Sequence, residues 1–135
     1  EVPRLVRELE GPDSNDAIWN LVEIGEPAIP ALVEAIRGEP KDRRPTAIWA
    51  LGHIARKSEK AVPGILESLQ SADRDVRLKA AHVCLWIPGR PILQALENAT
   101  KDSDAEIAKA AKWTLDHKNR THPPTQPVLE SQPAN

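Results

Sequence analysis

Four histidines, one cysteine and four tryptophans are the side chains of this chain best suited to hold a ligand or do chemistry. His53, His82, His117 and His122 with Cys84 are the donor types of a zinc site. Donors must converge, and a helix brings together residues three or four apart. His82 and Cys84 are two apart and point to different faces. The chain has no Cys-x-x-Cys and no His-Glu-x-x-His pattern. No nucleophile–base pair and no phosphate-binding glycine loop is visible either. The expectation is no metal, no cofactor and no catalytic residue.

Trp19, Trp49, His82 and Trp113 occupy one repeated position, with spacings of 30, 33 and 31 residues. Indoles in such a row could form a stacking surface for a base, a sugar or a tetrapyrrole, or pack between neighbouring repeats. A mid-helix Trp beside Ala and Leu is usually core, so packing between repeats is the expectation. Asp42, Asp75 and Glu106 share another repeated position, and Arg44 and Arg77 a third. Arg43, Arg44, Arg74 and Arg77 could form an anion patch at helix starts. A cation there opposes the helix dipole unless it is paired. An acid–arginine ladder between repeats is therefore expected, built of individually weak pairs.

These positions need a scaffold that repeats every 30 or so residues. Asp42 to Leu69 reads as one helical hairpin: Asp42 caps a first helix with Pro45 in its first turn, a link follows, and Ala61-Val62-Pro63 opens a second helix. Ala17, Ile18, Leu21, Val22 and Ile24 give the three-four spacing of another first helix. Its partner starts at Glu26-Pro27 and ends at Gly38. Val2-Pro3-Arg4-Leu5-Val6 lies on Ile29-Pro30-Ala31-Leu32-Val33 with a shift of 27, so the chain opens on a second helix. Gly11 and Gly38 suit the left-handed residue past a helix end. Asp73 caps a third first helix, rich in apolar residues through Ile87. Pro88 stops it, and Pro91 to Leu96 forms its partner. Ser103-Asp104-Ala105-Glu106 reads as a capping box for a last helix reaching Lys118. Leu21, Leu51, Cys84, Leu85 and Leu115 are expected between the two helix layers.

The pattern resembles the HEAT repeat, in the short HEAT-like form of the phycobilisome lyase group. Asp75-Val76-Arg77 with Ala80-Ala81 matches the opening of that first helix. Ala47, Ala50-Leu51-Gly52 and Ile54 match its middle, and Ala61-Val62-Pro63 and Ile29-Pro30 match the second helix. Ile107, Ala110, Ala111, Trp113 and Leu115 fit the last copy. The resemblance implies an all-α, right-handed α-α superhelix of about four hairpins over residues 1–118. It also implies two alternatives by analogy: a bilin lyase-like tetrapyrrole-handling protein, or a DNA-binding HEAT-like protein. The His-Glu pairs of the di-iron hydroxylases of this repeat class are absent. Residues 119–135 carry four prolines and few apolar residues, which reads as a disordered tail or linker.

Core spacing turns Leu32, Ala35 and Ile36 inward, so Arg7, Glu34, Glu67 and Gln94 line up outward on the side expected to be concave. Arg4, Arg37, Gln70 and Glu97 flank them. Solenoids bind along such faces. A solvated face is the plain alternative, because the stripe has no aromatic anchor. Apolar residues make up 40% of the 135, aromatics only 3%, and the net charge is −2. That balance gives no basic stripe for a polyanion, so nucleic acid is not expected as a partner. No run of 18 apolar residues exists to span a membrane, and no signal peptide pattern is visible. One cysteine cannot form an internal disulfide. The chain opens at Glu1 without Met, which reads as processed or excised from a longer one. The expectation is a soluble, cytoplasmic, non-catalytic protein-binding scaffold, a monomer or part of a longer chain, with a protein partner.

Overall fold

The computed structural model describes residues 2–11 and 14–121. Eight α-helices follow one another: α1 (Val2–Arg7), α2 (Ser14–Ile24), α3 (Ile29–Arg37), α4 (Arg44–Ala55), α5 (Val62–Ser68), α6 (Arg74–Val83), α7 (Arg90–Ala99) and α8 (Ala105–Thr121). Among the described residues there is no strand, and the chain is a right-handed α-α superhelix of stacked hairpins. The first helices α2, α4, α6 and α8 pack side by side in one layer. The second helices α1, α3, α5 and α7 form the other, each against first-layer neighbours.

Proline sets where helices begin. Pro30, Pro45, Pro63 and Pro91 each sit at the first or second position of α3, α4, α5 and α7. There the missing N–H has no intrahelical partner to lose, and the fixed φ suits the helix. Gly25 ends α2 at φ 77, a backbone only glycine adopts freely. Gly11 and Gly38 differ from expectation. Both have φ −103 and extended backbone, so the chain leaves these helices without a left-handed residue.

Apolar residues at helical spacing fill the space between the layers. Leu5, Leu9, Leu21, Leu32, Leu51, Ile65, Ile92 and Leu96 are all buried. Each contributes about 1.5–3 kcal/mol relative to an exposed side chain. Cys84 is buried with them, whereas Leu85 and Leu115 are only half-buried, Leu115 packing against the core from its edge. Small residues let the first helices approach closely. Ala47, Ala50, Ala80, Ala81 and Ala111 are buried, and a Cβ on Gly52 would meet the Val83 Cβ at 2.9 Å.

The caps differ from the sequence expectation at two helices. Asp73 does cap α6, accepting the Asp75 N–H at 2.9 Å. At α8 the cap is Asp104 and not Ser103, since Asp104 Oδ1 accepts the N–H of Glu106 at 3.0 Å. At α4 no side-chain cap forms. A 3₁₀ turn over Lys41–Arg43 feeds straight into the helix and leaves Asp42 exposed. Helix α8 continues to Thr121, past the expected end at 118. The first three residues of the tail expected over 119–135 thus belong to α8, and the rest of it, 122–135, lies outside the described residues.

Candidate binding surfaces

The eight residues of the expected stripe are distributed along the second-helix layer. Arg4 and Arg7 lie on α1, Glu34 and Arg37 on α3, Glu67 on α5 with Gln70 just past its end, and Gln94 and Glu97 on α7. All eight are exposed. The apolar stripes of the same helices explain this: Leu32, Ala35 and Ile36 turn into the core and leave Glu34 and Arg37 outside. The stripe holds three arginines and three glutamates, so its formal charges cancel. Arg37 grips Glu67 of the next repeat in two parallel bonds, Nε to Oε2 at 2.7 Å and Nη2 to Oε1 at 2.8 Å. That bond holds the Glu67 carboxyl below its ordinary pKa. Arg4 pairs with Glu8 along α1 at 2.9 Å.

An acid–arginine ladder forms along another edge, where repeats join, but Arg44 and Arg77 take Asp73 and Asp102 in place of the expected Asp42, Asp75 and Glu106. Arg44 donates from Nε to the Gly38 carbonyl at 2.8 Å and from Nη1 to Asp73 of the next repeat at 2.9 Å. Arg77 repeats the arrangement with the Ser71 carbonyl at 2.8 Å and Asp102 at 3.0 Å. Both pairs are half-buried, so they are better shielded than the exposed pairs the sequence suggests. Arg74 completes the edge with Asp104 at 2.7 Å and Glu106 at 2.6 Å. The exposed Arg74 bond draws the Asp104 carboxyl down to about 2. Arg43 donates to the Glu39 carbonyl, and Asp75 pairs with Arg74. These arginines are engaged within the stack and do not form an open anion patch.

The tryptophan row departs from the core expectation. Trp19 is 55% exposed and Trp113 is 50% exposed, on the outward side of the first-helix layer. Trp49 and Trp86 are half-buried. Their centre is His53, which by residue type alone reads only as a metal donor. Its ring lies 4.9 Å from Trp19, 5.5 Å from Trp49 and 4.9 Å from Trp86, nearly parallel to the last at 20°. Burial and the nearby Arg56 lower its pKa, which keeps the imidazole neutral. Lys79 places its ammonium 5.3 Å from the Trp49 ring. At the far end, Trp113 stacks on His117 at 3.7 Å. The sequence held a signal for part of these contacts: Trp49 and His53, and Trp113 and His117, are each four apart, one turn along a helix face.

The described residues contain no group of three or more His, Cys, Asp or Glu placed to hold an ion, and His122 lies outside them. The Cys84 thiol is buried and pushed up to about 12 by that burial, so it is not a nucleophile at neutral pH. Among the described residues no helix is long and apolar enough to cross a membrane.

The family model for HEAT repeats matches residues 29–116, which is α3 through most of α8. The chain belongs to the HEAT repeat family. It is similar to importin subunit alpha-1b of Oryza sativa subsp. japonica, with 27% identity over 132 residues. That match takes in 82% of this chain but 24% of the relative, so the chain spans about a quarter of that protein. Among solved structures it is similar to the complex of CpcE and CpcF of phycocyanin lyase from a Nostoc species, with a TM-score of 0.67 and 22% identity. That likeness covers 89% of this chain and 79% of the other, and it shows a shared fold. In HEAT repeat terms, α1, α3, α5 and α7 are the second helices, and the two candidate surfaces lie on opposite layers of the solenoid.

Proposed function

We propose that this HEAT repeat solenoid is a non-catalytic binding module that scaffolds a protein partner along its second-helix face. One observation carries the reading: Arg4, Arg7, Glu34, Arg37, Glu67, Gln94 and Glu97 on the four second helices, and Gln70 just past α5, are all exposed over a buried core. A solenoid holds such a row at fixed spacing, which lowers the entropy lost when an extended partner binds. The balanced charge of the row suits a polypeptide of mixed charge. It opposes DNA, whose binding needs net neutralisation of phosphates. The test is a charge swap that keeps the pair intact, Arg37→Glu with Glu67→Arg, compared with wild type in pull-downs from source lysate. Loss of a specifically captured protein in the folded swap variant supports the module. Equal capture by both moves the site off this face.

A second reading is a tetrapyrrole-handling protein. It is favoured by the half-exposed indoles of Trp19 and Trp113. A shift of the visible band on adding a bilin, lost in Trp19→Ala, would support it; an unchanged spectrum would end it.

A further inference from the structure

The first-helix layer carries a second surface, on the opposite side from the one proposed above. Trp19 projects from α2 with Glu23 one helical turn further on, so an indole face and a carboxylate sit side by side. Between the C-terminal ends of α2 and α4 lies an open cleft of about 650 Å³ whose lining includes Trp19, Glu23, Glu26, His53 and Lys57. Helix C-termini carry partial negative charge, and two of them converge here. Glu23 makes no ion pair among the described residues. Glu26 is held by Lys60 at 3.3 Å and by the Ser58 hydroxyl at 2.8 Å.

The repeat itself shows what such an indole takes. Lys79, three residues before His82 on α6, sits over Trp49 of the preceding repeat. The position in register one repeat earlier, three residues before Trp49, is Thr46. The chain therefore supplies a cation to Trp49 and none from the matching position to Trp19. His53 lies against the Trp19 ring at a tilt of 50° and stacks in turn on Trp86, so aromatic rings form one wall of the cleft. Lys57 is the cleft's cation, at the end of a flexible, exposed stem.

We propose that the Trp19–Glu23–His53 cleft receives an arginine side chain from an extended segment of a partner protein. The guanidinium lies flat on the indole and bonds the Glu23 carboxylate, a combination its planar fork makes better than an ammonium. The open roof leaves the segment's backbone on the surface, within reach of the Asn20 amide that also lines the cleft.

The probe is an acetylated, amidated Gly-Gly-Arg-Gly-Gly peptide, titrated into the chain and followed by amide and indole N–H shifts in two-dimensional NMR. The control peptide carries citrulline, which keeps the shape and removes the charge. The expected result is shifts at Trp19, Glu23 and Ser58, binding about tenfold weaker for the citrulline peptide, and weakening as salt rises. Trp19→Ala should abolish the shifts, and Glu23→Gln, a near-isosteric exposed change, should weaken them while leaving the fold intact. The pair-swapped second-helix variant should bind the peptide as wild type does, which separates this site from the face proposed above. Equal response to both peptides, shifts confined to the second-helix face, no shift with millimolar peptide, or an unaltered Glu23→Gln titration would each overturn the assignment.

Discussion

Arg44 and Asp73 meet across a repeat boundary, Nη1 to Oδ2 at 2.9 Å, with side chains only 13% and 19% exposed. The same carboxylate caps α6 through the Asp75 N–H. Burial alone would raise the Asp73 pKa, but the Arg44 bond and the N–H groups of Asp75 and Val76 outweigh it and lower it. One acid thus ties a helix start to the repeat before it. Asp73→Ala should destabilise by about 2–3 kcal/mol, more than an ordinary cap loss of about 1 kcal/mol. A double-mutant cycle with Arg44→Ala in urea melts should give a coupling of about 1–2 kcal/mol. Strict additivity would show that the pair contributes nothing beyond the cap.

Gly52 allows α4 and α6 to approach. Its added Cβ would lie 2.9 Å from the Val83 Cβ. Gly52→Ala should therefore destabilise by about 1–3 kcal/mol, although alanine favours helix by about 1 kcal/mol on an open surface. Adding Val83→Ala should not restore the loss, because alanine keeps the Cβ that the new methyl meets and opens a gap in the core. A thermal melt in which Gly52→Ala alone raises Tm would show that the helices separate without strain.

Acidification should weaken the fold through His53 and His82. Burial lowers the pKa of both below the ordinary 6.5, with Arg56 adding to the effect at His53 and Lys79 at His82. Below pH 6.5 the unfolded chain takes up protons that the folded chain resists, so stability falls as pH drops through that value. His53→Gln should flatten this slope in urea melts between pH 7.5 and 5. An unchanged slope would assign the loss to other groups.

Lys118 is buried, and its ammonium donates to the Ile87 carbonyl at 2.6 Å. Burial lowers its pKa from 10.5, so the unfolded chain holds that proton more tightly and stability contributed here rises with pH up to about 10.5. Lys118→Ala should destabilise by about 2 kcal/mol, because it opens a gap and leaves the Ile87 carbonyl unpaired where α6 gives way to the link. Lys118→Met should cost less by refilling the gap. Equal losses from both would place the whole effect in the hydrogen bond.

The period, the helix order and the buried stripes were legible in the sequence. Pro30, Pro45, Pro63 and Pro91 announce helix starts through their own covalent geometry, and Leu32, Leu51 and Leu96 face inward because their spacing matches 3.6 residues per turn. These are local properties, readable within a dozen residues. The outward placement of Arg37, Glu67 and Gln94 follows from the same spacing. The bidentate grip of Arg37 on Glu67, the Arg44–Asp73 tie and the Gly52–Val83 contact join residues about 30 apart. Whether such pairs touch depends on the rotation and rise between hairpins, which side-chain packing decides. The tryptophans show the limit most plainly. Trp19, Trp49 and Trp113 share a repeat position, yet Trp19 and Trp113 stay half-exposed while Trp49 is more fully covered, by Lys79 and by Trp86 edge-on at 4.7 Å. Helical periodicity determined which side of α2 bears Trp19. Only the stacked neighbours decided whether that side was covered, because Thr46 is too short to reach over the ring as Lys79 does.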